Sequence, residues 1–318
     1  MFLEVFKPTL LGVIQIFLLG AVGFFLVKKN FLNEEGLRAL SRLVIEITLP
    51  FLIFSRLIRE FSFTAYPDWW VYPLLSVAIT VTGLIIGFLF MGFIKNSQAK
   101  LQFLSLVTFQ NSGYLPLVLI AALLPKAKAD ALFIYLFLFL LGFNLIMWSW
   151  GVYLLTFTRA KKFELGSLFS PAVIATLVSL AVIYLGLNRF VPAVVLNPMR
   201  LVGDCTLPLA LFVVGGNLAA MHWAKLDKNA LFLLILAKLI VLPVLGFLLV
   251  IKFKFPELMG LLIILQLAMP PATSTSIIIS HYKKEDLLIS QGIFFGHIAS
   301  LASIPVFLSL YFMISMIQ

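Results

Sequence analysis

Four ionisable residues stand inside long apolar runs of this 318-residue sequence: Glu46, Asp204, Lys238 and His297. A charge deep in hydrocarbon is costly, so such residues face a protein interior or a wet cavity and are candidates for chemistry. Arg42 and Arg200 precede the two acids by four residues, the spacing at which side chains meet on one helix face. Two readings fit each pair: a structural ion pair beside a kink, or an acid that takes up and releases a coupling proton. Glu46 is the stronger proton candidate, because a glutamate is the more readily neutralised when desolvated. Lys238 lies about ten residues from Lys228 and about fourteen from Lys252, too deep to reach water along its own stem. It can pair with an acid or an anionic solute, or prop an unwound segment as a fixed cation. His297 is either hydrogen-bonded packing or a switch near neutrality.

The uncharged candidates cluster in two places. Residues 109–117 read Phe-Gln-Asn-Ser-Gly-Tyr-Leu-Pro-Leu, in the middle of an apolar run long enough to cross a membrane. Asn111, Ser112, Gly113, Tyr114 and Pro116 together make a poor lipid-facing helix. Backbone groups freed there must be satisfied by protein or line a cavity. A second interruption carries Pro270, Pro271, Thr273 and Ser274. We expect the two breaks to face each other and form a solute site. The half-helices that start there would aim free N–H groups and partial positive charge at one spot, which suits an anion. Two Pro-kinked packing helices are the plainer alternative.

These residues need membrane-spanning elements to hold them. The chain is 62% hydrophobic and 11% charged, against about a quarter charged in soluble domains. A hydrocarbon core of about 30 Å takes about 20 apolar residues per helix. Ten segments qualify: about 6–27, 36–57, 69–94, 100–124, 131–158, 171–187, 194–220, 229–251, 257–280 and 287–316. The net charge of +10 comes from basic residues in short loops, an orientation signal rather than a nucleic-acid footprint. Loops holding Lys28, Lys29, Lys95, Lys100, Arg159, Lys161, Lys162, Lys225, Lys228, Lys283 and Lys284 form the richer side, which is assigned to the cytoplasm. Both termini are then extracytoplasmic, in the inner or plasma membrane. The first apolar run is too long for a cleavable leader, and Lys28 and Lys29 close it without a cleavage site. The one cysteine, Cys205, supports no disulfide framework.

A shift of 158 residues relates two parts of the chain. Arg42-Leu43-Val44 falls on Arg200-Leu201-Val202, Glu46 on Asp204, and Thr48-Leu49-Pro50 on Thr206-Leu207-Pro208. Asn111-Ser112-Gly113 falls on Met269-Pro270-Pro271 without a gap. Five segments per repeat is an odd number, so the second repeat enters the membrane inverted, as in many secondary transporters. The expected fold is an all-α polytopic membrane protein of ten transmembrane helices, as two inverted five-helix repeats with crossed broken helices 4 and 9. The repeats are residues 1–158 and 171–318.

Gln110-Asn111-Ser112-Gly113-Tyr114-Leu115-Pro116, Leu207-Pro208-Leu209-Ala210 with Gly215-Gly216-Asn217-Leu218-Ala219, and Met269-Pro270-Pro271-Ala272 together resemble the auxin efflux carrier family. The similarity runs along nearly the whole chain, and points to its prokaryotic members, which include malate and malonate permease-like proteins. The resemblance implies a fold like that of bile-acid/sodium symporters and sodium–proton antiporters. It implies a homodimer, with a scaffold of segments 1, 2, 6 and 7 and a mobile part of segments 3–5 and 8–10. It also places substrate at the crossing of segments 4 and 9, on positions matching Asn111, Pro116, Pro270 and Pro271. The long loop of the plant carriers is missing, and no Asn stands in the second break opposite Asn111.

The resulting expectation is a secondary active or potential-driven transporter of small organic anions, such as carboxylates, working in export by elevator-type alternating access. A sodium- or proton-coupled antiporter or symporter, and a solute sensor built on a transporter fold, are the alternatives. No phosphate loop, nucleophile elbow or metal-ligand spacing is present, so neither an enzyme nor a cofactor is expected. Gln15, Asn144, Asn217 and Gln266 read as interhelical hydrogen-bonding residues.

Overall fold

In a bilayer the backbone must satisfy its own hydrogen bonds, so apolar runs of this length can only be helices or closed barrels. The computed structural model describes residues 2–151, 169–219, 227–275 and 287–315, apart from the side chains of residues 97 and 98, and is all-helical among them. In chain order the helices are α1 (Phe2–Lys28), α2 (Glu34–Leu43), α3 (Leu49–Glu60), α4 (Val71–Met91), α5 (Ser97–Thr108), α6 (Tyr114–Leu123) and α7 (Lys126–Ile146). They continue as α8 (Pro171–Tyr184), α9 (Ala193–Asp204), α10 (Thr206–Ala219), α11 (Lys228–Leu236), α12 (Leu242–Phe253), α13 (Glu257–Ala268) and α14 (Leu287–Ser315).

Six continuous spans among the described residues are long and apolar enough to cross a membrane: Phe2–Lys28, Val71–Met91, Lys126–Gly151, Ala193–Ala219, Lys228–Phe253 and Leu287–Ser315. The other four expected segments, 36–57, 100–124, 171–187 and 257–280, fall on interrupted or shorter helices. The 14 residues of α8, at about 1.5 Å each, reach only about 21 Å. Residues 152–158 and 276–280, the ends of the fifth and ninth expected segments, lie outside the described residues. So do the basic loops at Arg159 to Lys162, at Lys225 and at Lys283-Lys284.

Prolines explain several interruptions. A proline inside a helix lacks an N–H and its ring collides with the carbonyl four residues back. Pro50 follows a wide π-helical turn at Val44–Thr48, and Pro243 follows another at Ala237–Val241. The wider turn carries the backbone past the missing donor. Pro208 sits in the same place after the Cys205 turn that separates α9 from α10. A third π-turn, Met147–Gly151, extends α7.

Small residues set the packing. α1 lies along α10, with Gly20 and Gly23 against Leu211, Phe212 and Gly215. A Cβ on Gly215 would strike the Gly20 carbonyl oxygen, and one on Gly23 would strike the Phe212 backbone. Such close backbone approach is typical of packed membrane helices. α3 packs on α8 and α9, and α4 on α5 and α7. The interior is built around α7, α6 and α13: Phe133, Phe137, Phe139 and Phe143 are buried, as are Leu115 to Ile120 and Gly260 to Ala268. α1 and α4 show Leu18, Val22, Phe25, Ile85 and Phe88 outward, a lipid-facing surface.

Candidate functional site

The two breaks meet. α5 stops at Thr108 and α6 starts at Tyr114; α13 stops at Ala268. The freed backbone groups between them pair with each other. The Asn111 N–H donates to the Pro270 carbonyl at 2.8 Å, and the Ala272 N–H donates to the Phe109 carbonyl at 2.9 Å. Gln110 and Pro271 thus form a one-residue antiparallel bridge inside an otherwise helical protein. This satisfies groups that lipid could not. Pro270 and Pro271 carry no N–H, so the second break can offer only its carbonyls at those two positions.

The side chains reinforce the junction. The Gln266 side-chain amide donates to the Ser112 carbonyl at 3.2 Å. Asn111 is buried; its amide nitrogen lies 3.4 Å from His297 Nε2, and its oxygen accepts a long 3.5 Å contact from the Leu115 N–H. His297 Nδ1 is 2.8 Å from the Ile293 carbonyl. Both contacts are satisfied together only by the tautomer protonated on Nδ1, which leaves Nε2 to accept from Asn111. α14 comes close enough for this because Gly296 seats Pro271 against its backbone, where a Cβ would lie 2.7 Å from the proline ring.

Lys238 is buried in the π-turn of the α11–α12 span and donates to the Val107 carbonyl at 2.6 Å. Val107 is in the last turn of α5. A cation there meets the negative end of the helix dipole. The lysine therefore props the broken helix from behind.

A cavity of about 120 Å³ lies beside the junction. Gln110, Asn111, Ser112, Gly113 and Tyr114 from the first break form one wall, and Ala272, Thr273 and Ser274 from the second another. Ile45 of the first π-turn, Leu49 at the start of α3, Leu140, Phe143, Asn144, Met147 and Trp148 of the α7 span, and Ser170 and Ala172 at the start of α8 complete it. None of these residues carries a formal charge at neutral pH. Four buried side-chain polar atoms at or next to the breaks have no partner among the described residues: Thr108 Oγ1, Gln110 Nε2, Ser112 Oγ and Gln266 Oε1. Each such orphan costs about 1–3 kcal/mol, so their grouping at the breaks calls for a physical explanation. The first turn of α6 starts at the same wall; its Leu115 N–H is met by the Asn111 side chain, and Pro116 has no N–H to offer.

The sequence candidates divide as follows. Asn111, Ser112, Gly113, Tyr114, Thr273 and Ser274 line the cavity. Tyr114 also packs towards Val44, Ala210 and Val213, and the Ser274 hydroxyl lies 3.4 Å from Met147 Sδ. Pro116, Pro270 and Pro271 are buried and shape the junction without lining the cavity. Lys238 and His297 hold the breaks from outside it. Glu46 and Asp204 are elsewhere. They pair with Arg42 at 3.1 Å and Arg200 at 3.7 Å, as their spacing predicts, and stand about half exposed on the outer surface. Sequence reasoning passed over Gln110, Asn144, Trp148 and Ser170 as lining residues, and read Gln266 as interhelical bonding alone. Its position in the last turn before the second break was the available signal.

Comparison with known proteins gives the family. A family model described as membrane transport protein matches residues 9–308. The chain is 21% identical to Protein PIN-LIKES 1 of Arabidopsis thaliana over 96% of its own length and 79% of that protein. It is 31% identical to Protein PIN-LIKES 6 of the same plant, over 37% of this chain and 28% of that one. An uncharacterized transporter of Schizosaccharomyces pombe is 25% identical over 38% of this chain and 27% of its own. A family match that long, on a helical membrane protein with two joined helix breaks, places this chain in the membrane transport protein family of auxin efflux carriers.

Proposed function

We propose that this protein is a secondary transporter of small organic anions, with carboxylates as the solute class, and that the solute binds in the cavity beside the two breaks. The observation that carries this reading is a cavity walled by both breaks and lined by neutral polar side chains. Gln110, Asn111, Ser112, Asn144, Thr273 and Ser274 line it, beside the start of α6. Donors and a positive helix end suit a carboxylate, and no acidic side chain lines the cavity to repel one. A volume of about 120 Å³ favours a solute of few atoms, well below the roughly 300–1,000 Å³ of drug-sized pockets.

The inverted repeat is part of the proposal. Thr206 Oγ1 donates to Thr48 Oγ1 at 3.0 Å, and these residues are 158 apart. Residues at equivalent repeat positions can touch where a local twofold axis passes, and the pairing of 109–111 with 270–272 falls about the same relation. Ten spans in two inverted halves, an elevator-type movement of segments 3–5 and 8–10 against segments 1, 2, 6 and 7, and net export follow from this reading. The cavity lies on that boundary, with Ile45 and Leu49 on the scaffold side. The half-exposed Arg42–Glu46 and Arg200–Asp204 pairs belong to the scaffold. A surface carrying two ion pairs mid-span is better covered by a second copy than by lipid, which supports a homodimer. The excess of basic residues in one set of loops supports termini on the extracytoplasmic side of the cell membrane.

One observation favours a coupled cation. Gln266 Oε1 is an unpartnered acceptor at the carbonyl end of α13. Helix C-terminal ends and free oxygens suit Na⁺ or a proton carrier. Flux of a panel of labelled carboxylates into proteoliposomes, with membrane potential, sodium and proton gradients imposed one at a time, tests both readings. Carboxylate flux answering to potential alone supports the first, and a strict sodium or proton requirement supports the second. Absence of carboxylate flux under every gradient overturns the proposal.

A further inference from the structure

A second cavity, larger and of different chemistry, lies between α1, α10 and α14. Its volume is about 320 Å³ and every residue lining it is apolar or glycine. Leu115, in the first turn of α6, closes its inner end. Phe25 and Ile298 line it and are 59% and 47% exposed, so it opens on the outer surface as a groove. On α1 it runs along Ile16, Phe17, Gly20, Ala21, Phe24 and Phe25. The roughly nine rises from Ile16 to Phe25, at about 1.5 Å each, make about 14 Å, close to the half-thickness of a hydrocarbon core of about 30 Å.

Lys28, the last residue of α1, lies at i+4 from Phe24, and Lys29 follows it in the closing turn, its N–H donating to the Phe25 carbonyl at 2.9 Å. Both lysines are exposed. Lys28 Nζ sits 5.8 Å from the centroid of the Phe24 ring, over the mouth of the groove. An apolar groove one leaflet deep thus ends in two cations where lipid headgroups lie.

We propose that this groove is a binding site for an anionic phospholipid, with one acyl chain along α1 and the headgroup phosphate at Lys28 and Lys29. The occupant would lie on the seam of α1 and α10 with α14 and the first turn of α6. α14 also carries His297, which contacts Asn111. The lipid is therefore placed to bias the junction of the breaks without entering the solute cavity.

The test is thermal unfolding of the purified protein in detergent, titrated with phosphatidylglycerol, with phosphatidylcholine of the same chains, and with glycerol 3-phosphate. A lipid that binds the folded state raises the unfolding temperature. Phosphatidylglycerol is expected to stabilise the protein at lower concentration than phosphatidylcholine, and glycerol 3-phosphate to have no effect. Lys28→Gln with Lys29→Gln should weaken the phosphatidylglycerol response about 20–30-fold, at about 5-fold per basic residue, and leave phosphatidylcholine unchanged. Lys252→Gln, at the end of α12, should change neither. Ala21→Trp, which fills the groove, should abolish the preference for the anionic lipid. The double lysine variant keeps the apolar packing, so it reports even if Ala21→Trp fails to fold. Equal responses to the two lipids, a response to glycerol 3-phosphate alone, or an equal loss in Lys252→Gln would overturn the proposal.

Discussion

Lys238 and Asn111 show why identity alone does not give a residue its role. Lys238 is buried and donates to the Val107 carbonyl. A hydrogen bond to a charged group contributes about 1.5–3 kcal/mol, while burying an ammonium costs several kcal/mol. The two nearly cancel, so Lys238→Met should change unfolding stability by no more than about 1 kcal/mol. Flux should nevertheless fall about 10-fold or more, because the end of α5 loses the group that positions it. Unfolding in detergent alongside proteoliposome flux separates the two effects, and a large stability loss matched by unchanged flux would reject the positioning role. That Lys238 and His297 face the protein interior rather than lipid was legible from their depth in apolar runs. Their partners were not: Val107 and Asn111 lie 131 and 186 residues away in sequence, and only the fold brings them together. Glu46 and Asp204 carry the reverse lesson. Their pairing with Arg42 and Arg200 is local and could be read from i,i+4 spacing, whereas their outward direction depends on how the first π-turn and α9 pack.

At the scale of the element, interruptions organise the protein more than helices do. Pro50, Pro208 and Pro243 each follow a widened or broken turn, and the sequence shows all three. The break at Asn111-Ser112-Gly113 was equally legible, since those residues sit badly in a lipid-facing run. The backbone bridge between Gln110 and Pro271 was not, because an extended pair one residue long has no periodicity to read. The α1–α10 contact gives a sharp test of packing. A Cβ on Gly20 meets only the Leu211 carbonyl at 3.9 Å, an ordinary contact. A Cβ on Gly215 drives into the Gly20 carbonyl. Overpacking of this kind costs about 1–3 kcal/mol and can cost more where backbone must move. Gly215→Ala should therefore lower the unfolding temperature by several degrees, and Gly20→Ala should leave it within about a degree. Equal effects would mean that the two helices do not approach as described.

At the scale of the whole molecule, the cavity joins parts of the chain that the proposed mechanism moves against each other. Ile45 stands on one wall and Ser274 on another. Cysteines at both positions, in a background with the native Cys205 replaced by Ser, can be bridged by a bifunctional thiol reagent. Bridging should stop flux, and cleaving the bridge should restore it. Undiminished flux across the intact bridge would show that these walls do not separate during transport. The most direct measurement remains flux of labelled carboxylate in proteoliposomes holding wild-type protein or Asn111→Ala. The variant loses only long contacts, at 3.4 and 3.5 Å, so it should fold with little loss of stability. The account predicts saturable carboxylate flux in the wild type and at least about a 10-fold loss in Asn111→Ala, equivalent to about 1.4 kcal/mol. A folded Asn111→Ala protein with wild-type flux would contradict a solute site at the joined breaks.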